Sequence, residues 1–192
     1  MKRRIGTFTS VLLFLLLAFS WPTEARRGFS IGVGPIGNIY LIDTLPVMDP
    51  GIGGYTYFQY RYAEQFAFQA SFFISHQNGT NVNAGDGSIL LLGMPTLDLK
   101  YFLLTGDPRF DPFMGLGTGL FILTEGTIGN GTGGVGVGTN LLVGFDFYLA
   151  QQVSIGFEGV FRVIGIISDF GTPSSSTALF PYSLMANVAF HF

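Results

Sequence analysis

Six charged residues lie inside stretches of this chain that alternate between apolar and polar side chains. Charged residues make up only 11% of the 192 residues. The six are Arg61, Asp98, Lys100, Asp146, Glu158 and Arg162. Acids and bases at such positions could carry protons or ions along an enclosed path, or could neutralise one another as buried ion pairs. The sequence favours internal ion pairs and keeps an ion path as the alternative.

The two histidines are the candidates for acid–base catalysis. His76 follows Ser75, a serine–histidine combination, but no neighbouring acid completes a triad. His191 shares the parity of the polar residues near the end of the chain. The sequence therefore predicts no catalytic residue, with a lipid-modifying enzyme as a minor alternative.

Metal and cofactor sites are not expected either. Two His and no Cys do not suit a transition-metal site. The glycine runs at 115–119 and 129–138 lack the following helix and Lys of a phosphate-binding loop. No metal and no cofactor is predicted.

The alternating stretches predict β-strands with one apolar and one polar face. In the last twelve residues, Tyr182, Leu184, Val188, Phe190 and Phe192 alternate with smaller or polar residues such as Ser183 and Asn187. Eight such strands are predicted, at 27–39, 52–62, 66–75, 89–103, 110–123, 135–149, 153–166 and 181–192. Their connections alternate between short (63–65, 104–109, 150–152) and long (41–51, 76–88, 124–134, 167–180), which predicts an antiparallel up-and-down order. Pro95 lacks a backbone donor and is expected to mark a bulge or the point where strand pairing leaves the membrane.

The distribution of charge indicates which face meets lipid. All six charged residues share the parity of Ser, Gln, Gly and Asn, and the opposite parity is almost free of charge. A soluble barrel of the lipocalin kind would place its apolar face inside. A lipid-facing Arg or Lys near the membrane midplane costs about 2–4 kcal/mol, so the charged face must point inward. The fold class predicted is an all-β, eight-stranded antiparallel transmembrane β-barrel.

The first residues predict an exported protein. Lys2, Arg3 and Arg4 precede a short apolar run at 11–19, and small residues lead to Ala25, the pattern of a cleaved signal peptide. We therefore divide the chain into a signal peptide, 1–25, and a barrel domain, 26–192. Without the charged residues of the leader, six basic and eleven acidic residues remain, a net charge of about −5, which argues against a nucleic-acid partner.

Three segments resemble the small outer-membrane barrels of the outer-membrane protein A, X and W type. They are the terminal strand ending at Phe192, the sequence from Phe110 to Phe113 that leads into the 115–119 glycines, and the hairpin from Gly144 to Glu158. The resemblance implies a monomer in a Gram-negative outer membrane, surrounded by lipid and lipopolysaccharide. It also implies that Tyr182, Phe190 and Phe192 belong to a signal read by the barrel-assembly machinery.

Two functions follow from this resemblance. The first is a structural or surface-interaction role through the extracellular loops, without general porin activity. The alternative is a conduit for small hydrophobic molecules, as in W-like members, with Tyr55, Tyr57, Phe73 and Phe102 as its lining.

Overall fold

The computed structural model describes residues 27–41, 50–78, 88–125, 133–170 and 178–192. The predicted signal peptide at 1–25 and most of the four longer connections lie outside these residues. No helix among the described residues is long and apolar enough to cross a membrane. The strands are β1 (Gly28–Tyr40), β2 (Gly51–Arg61), β3 (Phe66–Asn78), β4 (Ser88–Phe102), β5 (Phe110–Glu125), β6 (Gly133–Ala150), β7 (Val153–Phe170), β8 (Ala178–Leu179) and β9 (Pro181–His191).

The strands close into a barrel. From β1 to β7 each strand pairs antiparallel with the next, β7 pairs with β9, and β9 pairs with β1. The two residues of β8 pair with Ile164 and Gly165 of β7, beyond the point where β9 leaves that strand. Together β8 and β9 form the eighth position of the wall, which confirms the predicted eight-stranded antiparallel barrel.

The two faces of the wall differ as the alternation predicts. On β3, for example, Phe68 is 58% exposed whereas the neighbouring Ala67 and Gln69 are buried. The same alternation follows each long strand, with Leu and Phe outside and small, polar or charged residues inside. This confirms that the apolar parity points outward.

Several strands continue into residues that the sequence analysis assigned to loops. Residues 76–78 belong to β3, 124–125 to β5, 133–134 to β6, 168–170 to β7 and 178–179 to β8. The ladder is formed by backbone groups, so polar residues and Gly can extend a strand beyond the apolar band. The irregularity expected at Pro95 is confirmed, since the pairing of β4 with β5 shifts between Gly93 and Thr96.

Aromatic rings fill much of the lumen, and glycines on the neighbouring strands make room for them. Tyr57 lies against Gly32, its direct partner across β1 and β2. A Cβ atom on Gly32 would lie 2.2 Å from a carbon of the Tyr57 ring. Gly93 gives the same space to its direct partner Phe73. Much of the glycine content of these strands is therefore explained by packing inside a narrow barrel.

Candidate functional site

The lumen is the candidate site, because all six charged residues predicted from the sequence point into it. None of their side chains is on the outer wall, and each residue is at most 5% exposed. Each comes from an inward position of a long strand: one on β2, two on β4, one on β6 and two on β7. Burial of this depth requires charged groups to find partners inside the barrel.

Lys100 and Glu158 form an ion pair across the lumen. The Lys100 Nζ atom lies 2.6 Å from Glu158 Oε2, and both side chains are 3% exposed. Lys100 is on β4 and Glu158 is on β7, with β5 and β6 between them in the wall. The ammonium group also lies 3.9 Å from the centroid of the Phe113 ring, a favourable cation–π geometry. This pair joins two non-adjacent parts of the wall.

A second ion pair joins Arg61 and Asp111. Arg61 Nη1 donates to Asp111 Oδ2 at 2.7 Å, and Arg61 Nε donates to the carbonyl oxygen of Glu64 at 2.9 Å. The guanidinium carbon lies 4.0 Å from the centroid of the Phe102 ring. This pair closes the lumen at the end of the barrel that carries the short turns, here called the turn end.

Asp111 was missing from the residues predicted for the lumen. The alternation of β5 could have predicted that Asp111 points into the lumen, because Asp111 has the same parity as the inward Gly115. The register that places it opposite Arg61 depends on three strand pairings, from β2 through β5. That register cannot be read from the alternation of one strand.

Asp98 and Arg162 are held by neutral polar groups. Asp98 Oδ1 accepts a hydrogen bond from Asn140 Nδ2 at 2.7 Å. Arg162 donates to Ser183 Oγ and lies over the Phe73 ring, 4.5 Å from its centroid. Asn140 is the direct cross-strand partner of Arg162. Asn140 therefore lies between an acid and a base that form no ion pair with each other among the described residues.

Asp146 is a buried residue of β6 beside the Arg61–Asp111 pair. It pairs across the ladder with Asp111 on one side and with Gly156 on the other. Among the described residues it forms no ion pair within 4 Å. With Asp111 included, four buried acids and three buried bases are found in the lumen among the residues whose side chains the structure describes.

The lumen beyond these charges is filled by neutral residues. Asn187 accepts a hydrogen bond from Tyr57 at 3.3 Å and donates one to Tyr55 at 2.8 Å. Towards the end opposite the turns, the buried residues include the apolar Ile36, Leu91, Phe121, Ile164 and Leu179 and the polar Asn38, Ser75, Gln77 and Ser183. The four residues considered as the lining of a conduit, Tyr55, Tyr57, Phe73 and Phe102, are each at most 4% exposed. Their rings occupy the interior.

The structure separates the residues considered for catalysis. His76 points outward from β3, whereas the adjacent Ser75 points inward and accepts a hydrogen bond from Asn38. Consecutive strand residues face opposite sides, so these two side chains cannot act together. His191 Nε2 lies 2.8 Å from Ser154 Oγ at the turn end, but Ser154 is fully buried. Among the described residues, no group of three or more His, Cys, Asp or Glu is placed to hold a metal ion.

The aromatic residues of the terminal strand lie on the outer wall. Tyr182 is partly buried, whereas Phe190 is 42% and Phe192 is 72% exposed. The rings of Phe190 and Phe192 meet edge to face, with 5.0 Å between their centroids. The backbone nitrogen of Phe192 donates to the carbonyl oxygen of Phe29 at 2.9 Å. The end of the chain is thereby attached to the first strand.

Among known proteins, the chain matches solved structures but no sequence family. No protein-family profile and no curated protein sequence matches the chain. The crystal structure of Neisserial surface protein A matches with a TM-score of 0.66 and 14% identity, over 86% of this chain and 97% of that one. The outer membrane protein OprG from Pseudomonas aeruginosa matches with a TM-score of 0.58 and 16% identity, over 88% and 99% of the two chains.

A third match has a ligand. The attachment invasion locus protein Ail of Yersinia pestis, in complex with the heparin analogue sucrose octasulfate, matches with a TM-score of 0.58 and 14% identity, over 86% of this chain and 99% of that one. These proteins are similar to the present chain over nearly their whole lengths. The chain has the fold of the small eight-stranded outer-membrane β-barrels.

Proposed function

We propose that this protein is a closed barrel of the outer membrane, which acts through its extracellular surface and does not conduct solutes through its lumen. Its fold supports the outer-membrane location. In such barrels the short turns are periplasmic and the longer connections are extracellular. The turn end is then the periplasmic end.

The ion pair between Lys100 and Glu158 carries the proposal of a closed lumen. It crosses the interior between strands that are not neighbours. The centroids of the Tyr57 and Phe113 rings lie 5.6 and 3.9 Å from Lys100 Nζ, and the Arg61–Asp111 pair is buried in the same lumen. An eight-stranded barrel is just wide enough for its own side chains to fill, and these buried groups support a lumen that is filled in this way.

The sequence of the outer connections narrows the class of partner. Residues 42–49, 79–87, 126–132 and 171–177 contain three Asp and no Lys or Arg. The six basic residues of the predicted mature chain are Arg26, Arg27, Arg61, Lys100, Arg109 and Arg162. Arg61, Lys100 and Arg162 lie in the lumen, and Arg27 and Arg109 lie at the turn end. Arg26 directly precedes Arg27 in the sequence. An extracellular surface without basic residues favours neutral or cationic partners over polyanions.

This charge pattern does not support carrying the ligand of Ail over to the present protein. Ail has been crystallised with the sulfated heparin analogue sucrose octasulfate. Binding of a polyanion generally depends on Arg and Lys side chains, and the outer connections of this chain have none. We therefore do not propose sulfated molecules as ligands of this protein.

Conductance in planar bilayers tests the closed lumen. The purified wild-type barrel is expected to give no steady channels, whereas the double variant Lys100→Ala with Glu158→Ala should give small ion currents through the space left by both side chains. Leu141→Ala on the lipid face is the matched control and should remain silent. Stable channels in the wild type would contradict the proposal.

A binding measurement tests the extracellular part of the proposal. Cells that display the protein should bind neutral or amine-bearing glycans on an array more strongly than sulfated ones, and should not bind sucrose octasulfate. Replacing residues 79–87 with a Gly-Ser segment of equal length should reduce that binding. Binding that is confined to sulfated glycans would refute the assignment of partner class.

Uptake of hydrophobic solutes tests the conduit alternative. Vesicles containing the wild type should take up a small hydrophobic dye no faster than vesicles containing the Leu141→Ala control. The variant Gly93→Ala adds a methyl group beside the Phe73 ring and so fills the lumen further. Faster uptake by the wild type that this variant abolishes would favour the conduit.

A further inference from the structure

The outer wall carries a groove that neither the lumen nor the extracellular connections explain. It has a volume of about 690 Å³ and runs across β2, β3, β4 and β5. Its lining is almost wholly apolar, and Phe68, Leu97 and Leu116 contribute side chains that are 55–66% exposed. A cleft of this volume falls within the usual range of ligand sites.

The register explains why the wall is hollow here. Phe58, Ala70, Leu97 and Thr118 are consecutive partners across the four strands. In this row the small side chains of Ala70 and Thr118 alternate with larger ones. The outer surface is therefore recessed at Ala70 and at Thr118. The aromatic edge is fixed by packing, because Phe29 lies over both Phe58 and Tyr60, with centroid distances of 5.3 and 4.6 Å.

Polar side chains on the outward face of the groove are few. The hydroxyl of Thr118 donates to the carbonyl oxygen of Gly138 at 2.8 Å. A threonine bonded in this way leaves its methyl group as the free surface. The groove therefore offers hydrocarbon contact across its floor, with the phenol of Tyr60 in the row nearest the turn end. Tyrosine of this kind is suited to a boundary between apolar and polar surroundings.

The depth of the groove indicates which leaflet it meets. On β2, β3 and β4 its lining residues lie within five residues of Arg61, Phe66 and Phe102, the strand limits at the turn end. With the turn end in the periplasm, this part of the wall faces the periplasmic leaflet. Phospholipid, rather than lipopolysaccharide, forms that leaflet.

We propose that this groove is a binding site for one acyl chain of a phospholipid of the periplasmic leaflet. The chain would lie between the aromatic edge at Phe58 and the leucine edge at Leu97, over Ala70. The glycerol and ester groups of the lipid would be near Tyr60. This proposal rests on the membrane-spanning fold and is independent of whether the lumen conducts or the loops bind a partner.

Spin-labelled phosphatidylethanolamine in lipid nanodiscs tests the site. The label is placed near the end of one acyl chain, and electron paramagnetic resonance measures the motionally restricted fraction. Ala70→Phe fills the groove and is expected to reduce that fraction relative to the wild type. Ala186→Phe is the matched control, because Ala186 is an outward residue of β9, five residues from the limit of that strand at the same end.

The outcomes separate a specific site from general contact with lipid. A restricted fraction that is unchanged in Ala70→Phe, or equally reduced in both variants, would overturn the proposal. A stable dimer of the wild type that Ala70→Phe dissociates would assign the groove to a second copy instead and would also overturn it. Folding is checked by heat-modifiable migration on gels, and if Ala70→Phe does not fold, Thr118→Phe fills the groove from its other side with the same expectation.

Discussion

Lys100 and Glu158 are 58 residues apart in the chain, yet their charged atoms lie 2.6 Å apart in the interior of the barrel. Their strands, β4 and β7, do not touch in the wall, so the contact is made through the lumen. A buried ion pair of this kind adds little over a well-packed apolar pair, but it makes each partner depend strongly on the other. The first prediction follows from that dependence.

Removing one partner should be far more damaging than removing both. Lys100→Met leaves Glu158 buried without its base, and we expect a loss of about 3–5 kcal/mol in the free energy of unfolding. The double variant Lys100→Met with Glu158→Met should regain most of that loss. Urea unfolding in phospholipid vesicles measures both. If the double variant lost as much as Lys100→Met and Glu158→Met together, the additive losses would show that the pair is not coupled.

The exposed pair Arg27–Glu64 provides the control for this experiment. Its atoms are 4.0 Å apart, and its side chains are 59% and 54% exposed. Glu64→Gln should cost less than about 1 kcal/mol, because water screens an ion pair at the surface.

Adding a methyl group to Gly32 should destabilise the barrel. The new Cβ atom would lie 2.2 Å from the Tyr57 ring, so the ring or the wall must move, at a cost of about 1–3 kcal/mol. Gly54→Ala is the control, since its Cβ atom would lie 3.8 Å from its nearest neighbour, the carbonyl oxygen of Gly34. The temperature at which the folded band disappears on unheated gels compares the two. A Gly32→Ala protein as heat-resistant as Gly54→Ala would contradict this account of the glycines.

A charge on the outer wall should prevent stable insertion. Leu141 is 57% exposed on β6, and we expect Leu141→Arg to lose about 2–4 kcal/mol if this position is near the membrane midplane. Leu104→Arg serves as the control, because Leu104 is 61% exposed in the short turn after β4 and lies outside the wall. The fraction folded into vesicles as a function of urea measures the difference. Similar fractions for both variants would place the Leu-rich face outside lipid.

The aromatic end of the chain should matter for assembly more than for stability. Phe192 is 72% exposed, so Phe192→Ala removes little buried surface and should change the free energy of unfolding by less than about 1 kcal/mol. If the barrel-assembly machinery reads this residue, the amount of folded protein in the outer membrane of cells should fall several-fold. Leu184→Ala on the same face is the comparison. A variant that assembles normally in cells would remove Phe192 from the signal.

The fold could be predicted from the sequence because a period of two fixes which face of each strand is buried. The alternation predicts that the charged parity points inward and the apolar parity outward, and the burial of Arg61 beside the exposed Tyr60 on β2 agrees with it. Strand ends were less predictable. His76 and Gln77 are polar and were assigned to a loop, but they continue the ladder of β3, because backbone pairing does not depend on side-chain polarity beyond the apolar band.

The arrangement of charges in the lumen was only half predictable. Parity indicates that Arg61 and Lys100 point inward, but not which acid each would meet. Partners across a lumen depend on the cumulative register of several strands and on irregularities such as the shift near Pro95. Asp111 was missed as the partner of Arg61 for that reason, and the neutral link that Asn140 makes to Asp98 was missed as well.

The fit of aromatic rings against glycines has a consequence for how this sequence can diverge. Gly32 and Tyr57, like Gly93 and Phe73, are direct partners on neighbouring strands, and each glycine has room only for the ring it faces. A larger residue at position 32 is then tolerated only where position 57 has become smaller. Homologues of this protein should therefore show covariation at these pairs of positions even where their overall identity to it is low, and this covariation could identify them when overall similarity does not.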